Sequence, residues 1–583
     1  MSCRTIGACA IGLCLLFEAQ GIFSRLPGEV GKMVDCARGY PVFSNAYFLG
    51  AYALSSALPS EESLYVYQSQ MDSLWSVEKS IRQVVSWNRM MSRTEFGNGP
   101  DKMEHAHLLI EKSFICELSE EMLSGYAART ENGPWVLLSR RNYDENRCSR
   151  HIQQKGCFPW GEAWCVFLFL GASLAVAVLL GVDTLLLAWF VYSFVVFGLL
   201  SIGCVSPVVQ QVILISVVSL SVLLLIIRSL RVRRRVGVRV FDVVAVVLLF
   251  ALVSCFALSH FLATPNVAGV VGGKAKWLVL NGGFSPEFWE GKGCAGDMLP
   301  AYPPCLSMLI AGVNMMAGTS GIWLEQLIGV FPFVLLYLLC CEAFPSFVQG
   351  RALLLVLLLS RTGRLVFATL YPDGLMLAFL AAGVIRLSKS QDDLLGWFFL
   401  GAGGWVKSEG VIFAFLIMLS VLVRDYGRLR LSYVILLLII PLGWFFLSRS
   451  FGATLPDYSL ACFSIDNVWR AGINIFRQCW SDVLWLVVVI VVCLFYNLGN
   501  QDWLLRVFFD IGWLIVFILV FSIVYAFGDS GRMIWHIATS APRLIWSMSV
   551  VLFFANMTWV YQARLGRTKL GNASLTSGEM CPS

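Results

Sequence analysis

The chain of 583 residues is 58% hydrophobic and only 14% charged, with a mean hydropathy of +0.73, whereas ordinary soluble domains carry roughly 25% charged residues. This composition excludes a soluble multidomain enzyme. The net charge of +6, from 43 basic and 37 acidic residues, is too small and too dispersed for a nucleic-acid binder, which concentrates cations on a polar face.

The N-terminal stretch 1–17 has a single Arg4 followed by small and apolar residues. It is short for a spanning helix and predicts a signal anchor, with a cleaved signal as the alternative. Residues 18–163 hold 18 acidic and 15 basic residues, 33 of the chain's 80 charges, and so read as an outward-facing soluble domain. Within it Ser63–Tyr67 and Pro134–Ser139 predict strands and Met103–Tyr126 a helix, together a small α+β unit. Cys36, Cys116, Cys148 and Cys157 lie in this region, and three pairings of them are open. His105-x-His107 lacks a third ligand nearby and reads as surface.

Long apolar runs follow at 164–181, 183–204, 208–228 and 241–263, forming the N-terminal spans over 164–263. The densest basic cluster, Arg228 to Arg239, separates the last two and is assigned to the cytoplasm by the positive-inside rule. The segment 264–318 is then an external loop. Its apolar part, Cys305–Gly318, is too short to cross a ~30 Å hydrocarbon core at ~1.5 Å per residue and reads as a juxtamembrane or re-entrant helix. Further spans are expected at 322–342, 351–369, 373–387, 394–407, 410–423, 431–448, 482–498, 507–527 and 544–562, within a membrane core of 319–562. On this count Arg386/Lys389, Arg424/Arg428/Arg430 and Arg564/Arg567/Lys569 all lie inside, as does the tail 563–583. Both termini are then cytoplasmic.

Charged residues inside or at the ends of spans are costly, roughly 2.5–3.5 kcal/mol at mid-bilayer, and several gather on the outer side. The external loop contains Lys274-Ala275-Lys276-Trp277 and Tyr302-Pro303-Pro304. Tyr371-Pro372-Asp373 opens a span, Lys407-Ser408-Glu409-Gly410 joins two, and Arg532, His536 and Ser540-Ala541-Pro542-Arg543 precede the last. In this order, over residues 264–562, these elements resemble the polytopic GT-C glycosyltransferases, the class of bacterial aminoarabinose transferases and protein mannosyltransferases. The resemblance implies an all-α polytopic membrane protein of about fourteen spans, GT-C-like, carrying the small N-terminal α+β extramembrane domain.

It also implies an inverting transfer of a sugar from a polyprenyl-phosphate donor to an acceptor on the outer face. In that family an outer-loop acid is the base. Here the acid position holds Asn266, an amide that cannot accept a proton at neutral pH, which leaves Asp297, Glu287 or Glu290 for the task or makes the chain a non-catalytic binder of lipid-linked glycan or anionic lipid, or a flippase. General-base catalysis contributes about 10²- to 10⁴-fold. Lys274, Tyr302, Asp373, Lys407, Glu409, Arg532, His536 and Arg543 are the candidates for substrate and phosphate binding. Asp373 has an alternative role as a helix-start acid, and Lys407 as a snorkelling cation.

Two residues apart, Lys407 and Glu409 would lie about 200° around a continuous helix and not face each other. Pro542, with Thr539 and Ser540 before it, is a helix-start signature that sets Arg543 beside N–H donors suited to an anion. Trp277, Trp289 and Tyr302 are the loop rings suited to stacking on a sugar. No metal or other cofactor is called for by any spacing, and a divalent metal stays open. The expected partners are the lipid-linked donor and membrane lipid.

Overall fold

The computed structural model describes residues 64–67, 94–97, 107–111, 126, 128–132, 135–139, 160–202, 240–259, 271–289, 300–317, 324–345, 348–424, 430–453, 463–497, 503–527, 533–534, 537–538 and 540–558. In the N-terminal part, β1 (Leu64–Tyr67), β2 (Thr94–Gly97), β3 (His107–Glu111), β4 (Ala128–Asn132) and β5 (Trp135–Ser139) form a five-stranded sheet of order β2-β1-β3-β5-β4. β1 pairs parallel with β2 and β3, while β5 pairs antiparallel with β3 and β4.

The strands expected at 63–67 and 134–139 are β1 and β5. The helix expected over Met103–Tyr126 is overturned where it can be seen, because His107–Glu111 is a strand. Leu108, Leu109 and Ile110 are all fully buried, so both faces of β3 are covered and the polar alternation of a half-exposed strand is missing. His105 and the four polar-region cysteines lie outside the described residues.

The rest of the described residues are mainly helical. α1 (Trp160–Leu180) and α2 (Val182–Ile202) turn about Gly181, whose φ of 96° is left-handed and readily reached by glycine. After α3 (Val240–Ser259) come the short α4 (Gly272–Leu280) and α5 (Pro286–Trp289), then α6 (Cys305–Ala317) and α7 (Gln326–Ala343). α6 has 13 residues, about 20 Å of helix, and is buried from Cys305 to Met315 against α1, α2 and α4. α7 is apolar all round and buried except at Glu342, as expected of a central helix; α1, α3, α8, α9 and α10 surround it.

The run 351–369 is not one span. It divides into α8 (Val348–Leu359) and α9 (Arg361–Ala368) at Ser360, whose hydroxyl accepts from the Gly363 N–H at 3.2 Å and starts a new helix. α9 in turn is bent by 108° from α10 (Asp373–Lys389). There follow α11 (Leu394–Val406), α12 (Glu409–Arg424), α13 (Leu431–Ser450), α14 (Ile465–Gln478), α15 (Trp480–Asn497), α16 (Trp503–Tyr525) and α17 (540–558).

Small residues let these helices close up, the device that replaces the hydrophobic effect within lipid. A Cβ on Gly401 of α11 would stand 2.5 Å from the Leu436 carbonyl oxygen of α13. Among the described residues four helices, in α1, α2, α7 and α13, are long and apolar enough to cross a membrane, or six if each bent pair counts as one span. The chain is an integral membrane protein by this measure.

Two groups of ion pairs lie at opposite ends of α10. At one, Arg386 in the last turn of α10 bridges Asp183 at the start of α2 (2.5 Å) and Asp393 before α11 (2.9 Å). Tyr433 donates to Asp392 at 2.6 Å there. The opposite end, where α10 begins and α11 stops, carries the candidate site.

Candidate functional site

The site begins with a turn. Leu370, fully buried, has φ = 56°, a left-handed conformation that a side chain resists. A Cβ on Gly329 of α7 would come within 2.6 Å of its Cδ1 and 3.3 Å of its Cα, so α7 is bare where the turn passes. The turn delivers Tyr371, then Pro372 as the residue before α10, then Asp373 as its first residue. Asp373 is fully buried at a helix N-terminus, where the dipole favours an anion. Its carboxylate accepts from Lys407 Nζ on Oδ1 at 2.9 Å and from Arg543 Nη1 on Oδ2 at 2.8 Å.

Lys407 comes to Asp373 because α11 stops. Its backbone is extended, with φ −155° and ψ 139°, and α12 starts afresh at Glu409. The expectation that Lys407 and Glu409 face apart is therefore corrected, since it presumed one continuous helix. Lys407 Nζ lies 3.1 Å from Glu409 Oε1, and Ser408 donates to Glu409 Oε2 at 3.2 Å. Gly410 makes the tight restart possible: a Cβ there would sit 2.3 Å from the Gly403 carbonyl oxygen.

Arg543 lies on α17 next to Pro542; residues 537, 538, 540 and 541 are already helical before that proline, so the helix start expected there is not seen. Its guanidinium carbon stands 3.7 Å from the centroid of the Tyr371 ring, a close cation–π stack. Tyr525 at the end of α16 shares a 2.6 Å hydrogen bond with Ser540, tying α16 to α17 beside the site.

Residues 34 and 170 positions from Asp373 thus meet on its two carboxylate oxygens. The group is two carboxylates and two cations. Side-chain exposure runs from 0% at Asp373, through 4% at Lys407 and 9% at Arg543, to 18% at Glu409, so it opens outward through Glu409. Such a group presents charge-assisted donors of fixed position. An incoming anion would exchange with the carboxylates for those donors.

A second grouping joins Lys274 and Tyr302. Lys274, on α4, is fully buried and donates to the Tyr302 carbonyl oxygen at 2.9 Å. Burial pulls its ammonium down to about 7, well below the ordinary lysine value. This contact fastens α4 to the segment that leads into α6.

The loop tryptophans do not offer faces to a sugar, correcting that expectation. Trp277 is buried. Trp289 is also buried and is stacked with Phe284 (5.3 Å, 19°) and with Phe451 (4.8 Å, 12°). It further touches Trp444, whose indole N–H donates to the Ala301 carbonyl oxygen at 2.9 Å. Trp405, next to Trp444, donates to Ser193 at 3.1 Å. These rings seat the segment of α5 on α2, α11 and α13.

Asn266, Asp297, Glu290, Arg532 and His536 lie outside the described residues, as does the Glu287 side chain. Among the described residues no three His, Cys, Asp or Glu side chains come together as a metal site. Sequence reasoning missed Tyr371 as a partner of Arg543 and Gly410 as the enabling contact; the signal for the second was the glycine next to a charged residue at a helix junction. No family model, curated protein or solved structure matches the chain.

Proposed function

We propose that the chain is a multi-pass membrane glycosyltransferase of the GT-C type, placed in a bacterial inner membrane. It moves a sugar from a polyprenyl-phosphate donor to an acceptor on the outer face. One observation carries this reading: Tyr371-Pro372-Asp373, Lys407-Ser408-Glu409 and Arg543, three separate elements of the family resemblance, come together in one buried charge cluster. Lys407 and Arg543 hold the donor phosphate and stabilise the charge that grows on it as the glycosidic bond breaks, the role of preorganised donors at a developing anion. Asp373 keeps both cations in place before the donor arrives. Glu409 contacts sugar hydroxyls, Arg532 and His536 complete the phosphate site, and Lys274 with Tyr302 fixes the loop above it. Asp297 takes the acceptor proton in place of the amide at Asn266.

A second reading, a non-catalytic binder or flippase for lipid-linked glycan, draws on a specific observation. Both oxygens of Asp373 and Oε1 of Glu409 are held by cations, which leaves Asp373 no free oxygen to receive an acceptor proton, and Asn266 is an amide. Purified protein in liposomes, supplied with labelled polyprenyl-phosphate sugars and acceptor lipid, separates the two. The transferase loses turnover in Asp297→Asn and in Arg543→Ala. A binder shows no turnover in the unaltered protein and retains donor binding in Asp297→Asn.

A further inference from the structure

Between α13 and α15 the sequence predicts only an outer connection, yet the structure builds α14 there. At 100° per residue, Ile465, Trp469, Ile473 and Phe476 fall within about 80° of arc, and all four are exposed, Ile465 at 82% and Trp469 at 72%. The opposite side, Ala471 and Ile475, is buried where α14 packs on α16. α14 therefore satisfies its packing with one stripe and leaves a second apolar stripe without a protein partner among the described residues.

Three observations identify what covers it. The stripe runs on without a break into the exposed apolar face of α15, through Trp480, Leu484 and Val487. α14 is bent by 74° from α15, so if α15 crosses the bilayer α14 lies close to its plane. Arg470 and Arg477, both exposed, sit seven residues apart at one border of the stripe; Asp466, in the first turn, shares that border. An apolar stripe edged by arginines, on a helix lying flat, is the pattern of a segment seated in a lipid interface.

We infer that α14 is an interfacial helix docked into the bilayer leaflet on the Asp373 side, with Trp469 and Phe476 in the acyl region and Arg470 and Arg477 on lipid headgroup phosphates. The side follows from its packing near the C-terminal end of α16, where a Cβ on Gly472 would stand 3.3 Å from Ser522 Oγ; Tyr525, the last residue of α16, bonds Ser540 on the helix that carries Arg543. The leaflet that would bring a lipid-borne substrate to Arg543 is thus the one α14 grips, although the docking itself does not depend on any transfer activity.

The test uses the full chain in vesicles of phosphatidylethanolamine and phosphatidylglycerol whose acyl chains are brominated near the headgroup. A fluorescent amino acid replaces Trp469 in one protein and Asn467, on the polar side, in another. Several-fold stronger quenching at 469 than at 467 is expected; equal quenching, or none at 469, overturns the proposal. In parallel, Arg470→Gln/Arg477→Gln is expected to retain fewer phosphatidylglycerol molecules by native mass spectrometry than the unaltered protein. Undiminished retention would show that the arginines do not hold lipid phosphate and would overturn that part.

Discussion

Replacing Asp373 with asparagine keeps the shape of the buried site and removes the charge that closes it. Asp373 meets Lys407 at 2.9 Å and Arg543 at 2.8 Å with no exposed side-chain surface. At an effective dielectric of ~20, each attraction across about 4 Å amounts to about 4 kcal/mol. Much of this offsets desolvation, and removing one partner of a buried pair leaves a net loss of about 3–5 kcal/mol. Glu409, 18% exposed and paired with Lys407 at 3.1 Å, should lose about 1 kcal/mol as Glu409→Gln. The assay is thermal unfolding of both variants in lipid nanodiscs. Asp373→Asn should unfold well below Glu409→Gln, and the triple variant Asp373→Leu/Lys407→Met/Arg543→Met should recover most of the stability while losing donor binding, because an apolar replacement restores a buried balance. Equal Tm values for the two single variants would refute the reasoning.

Other outcomes follow from the same contacts. Gly410→Ala drives a Cβ to 2.3 Å from the Gly403 carbonyl oxygen and should cost about 1–3 kcal/mol through overpacking, read as a lowered Tm with loss of donor binding. Trp289→Ala should cost about 3–5 kcal/mol yet leave the KM for donor sugar within twofold in protein kept below its new Tm; a large KM rise would restore a sugar-stacking role. For Lys274 the folded ammonium titrates at about 7, below its unfolded value, so the unfolded chain binds the extra proton between about pH 7 and 10.5. Stability therefore rises with pH across that window, by at most about 1.4 kcal/mol per pH unit, and Lys274→Met should abolish that share of the slope in unfolding curves taken at each pH.

The helical architecture is legible from hydropathy because long apolar runs have few alternatives. What escaped was where helices break. The run 351–369 carries Ser360, an ordinary polar residue until its hydroxyl finds the Gly363 N–H. Lys407 and Glu409 were placed apart by a periodicity that holds only within one helix, and they meet because the chain restarts between them. β3 escaped because Leu108, Leu109 and Ile110 form a short apolar run that fits helix or strand equally; its pairing with β1 and β5 decides it. α14 escaped because its apolar residues recur every three or four positions among polar ones and never form a run. The charged members of the site were visible one by one, since ions near lipid demand an explanation. Their mutual distances were not, because contacts across 170 positions depend on packing.

As proposed, Asp373, Lys407 and Arg543 form the phosphate-binding centre of a lipid-linked donor site. Titrating a short-chain polyprenyl phosphate into nanodisc-held protein and into Arg543→Lys, which keeps the charge but not the planar fork, tests this centre. Binding at least tenfold weaker in Arg543→Lys, with the same fold by circular dichroism, is the predicted result. Equal affinity in the two proteins would contradict the account.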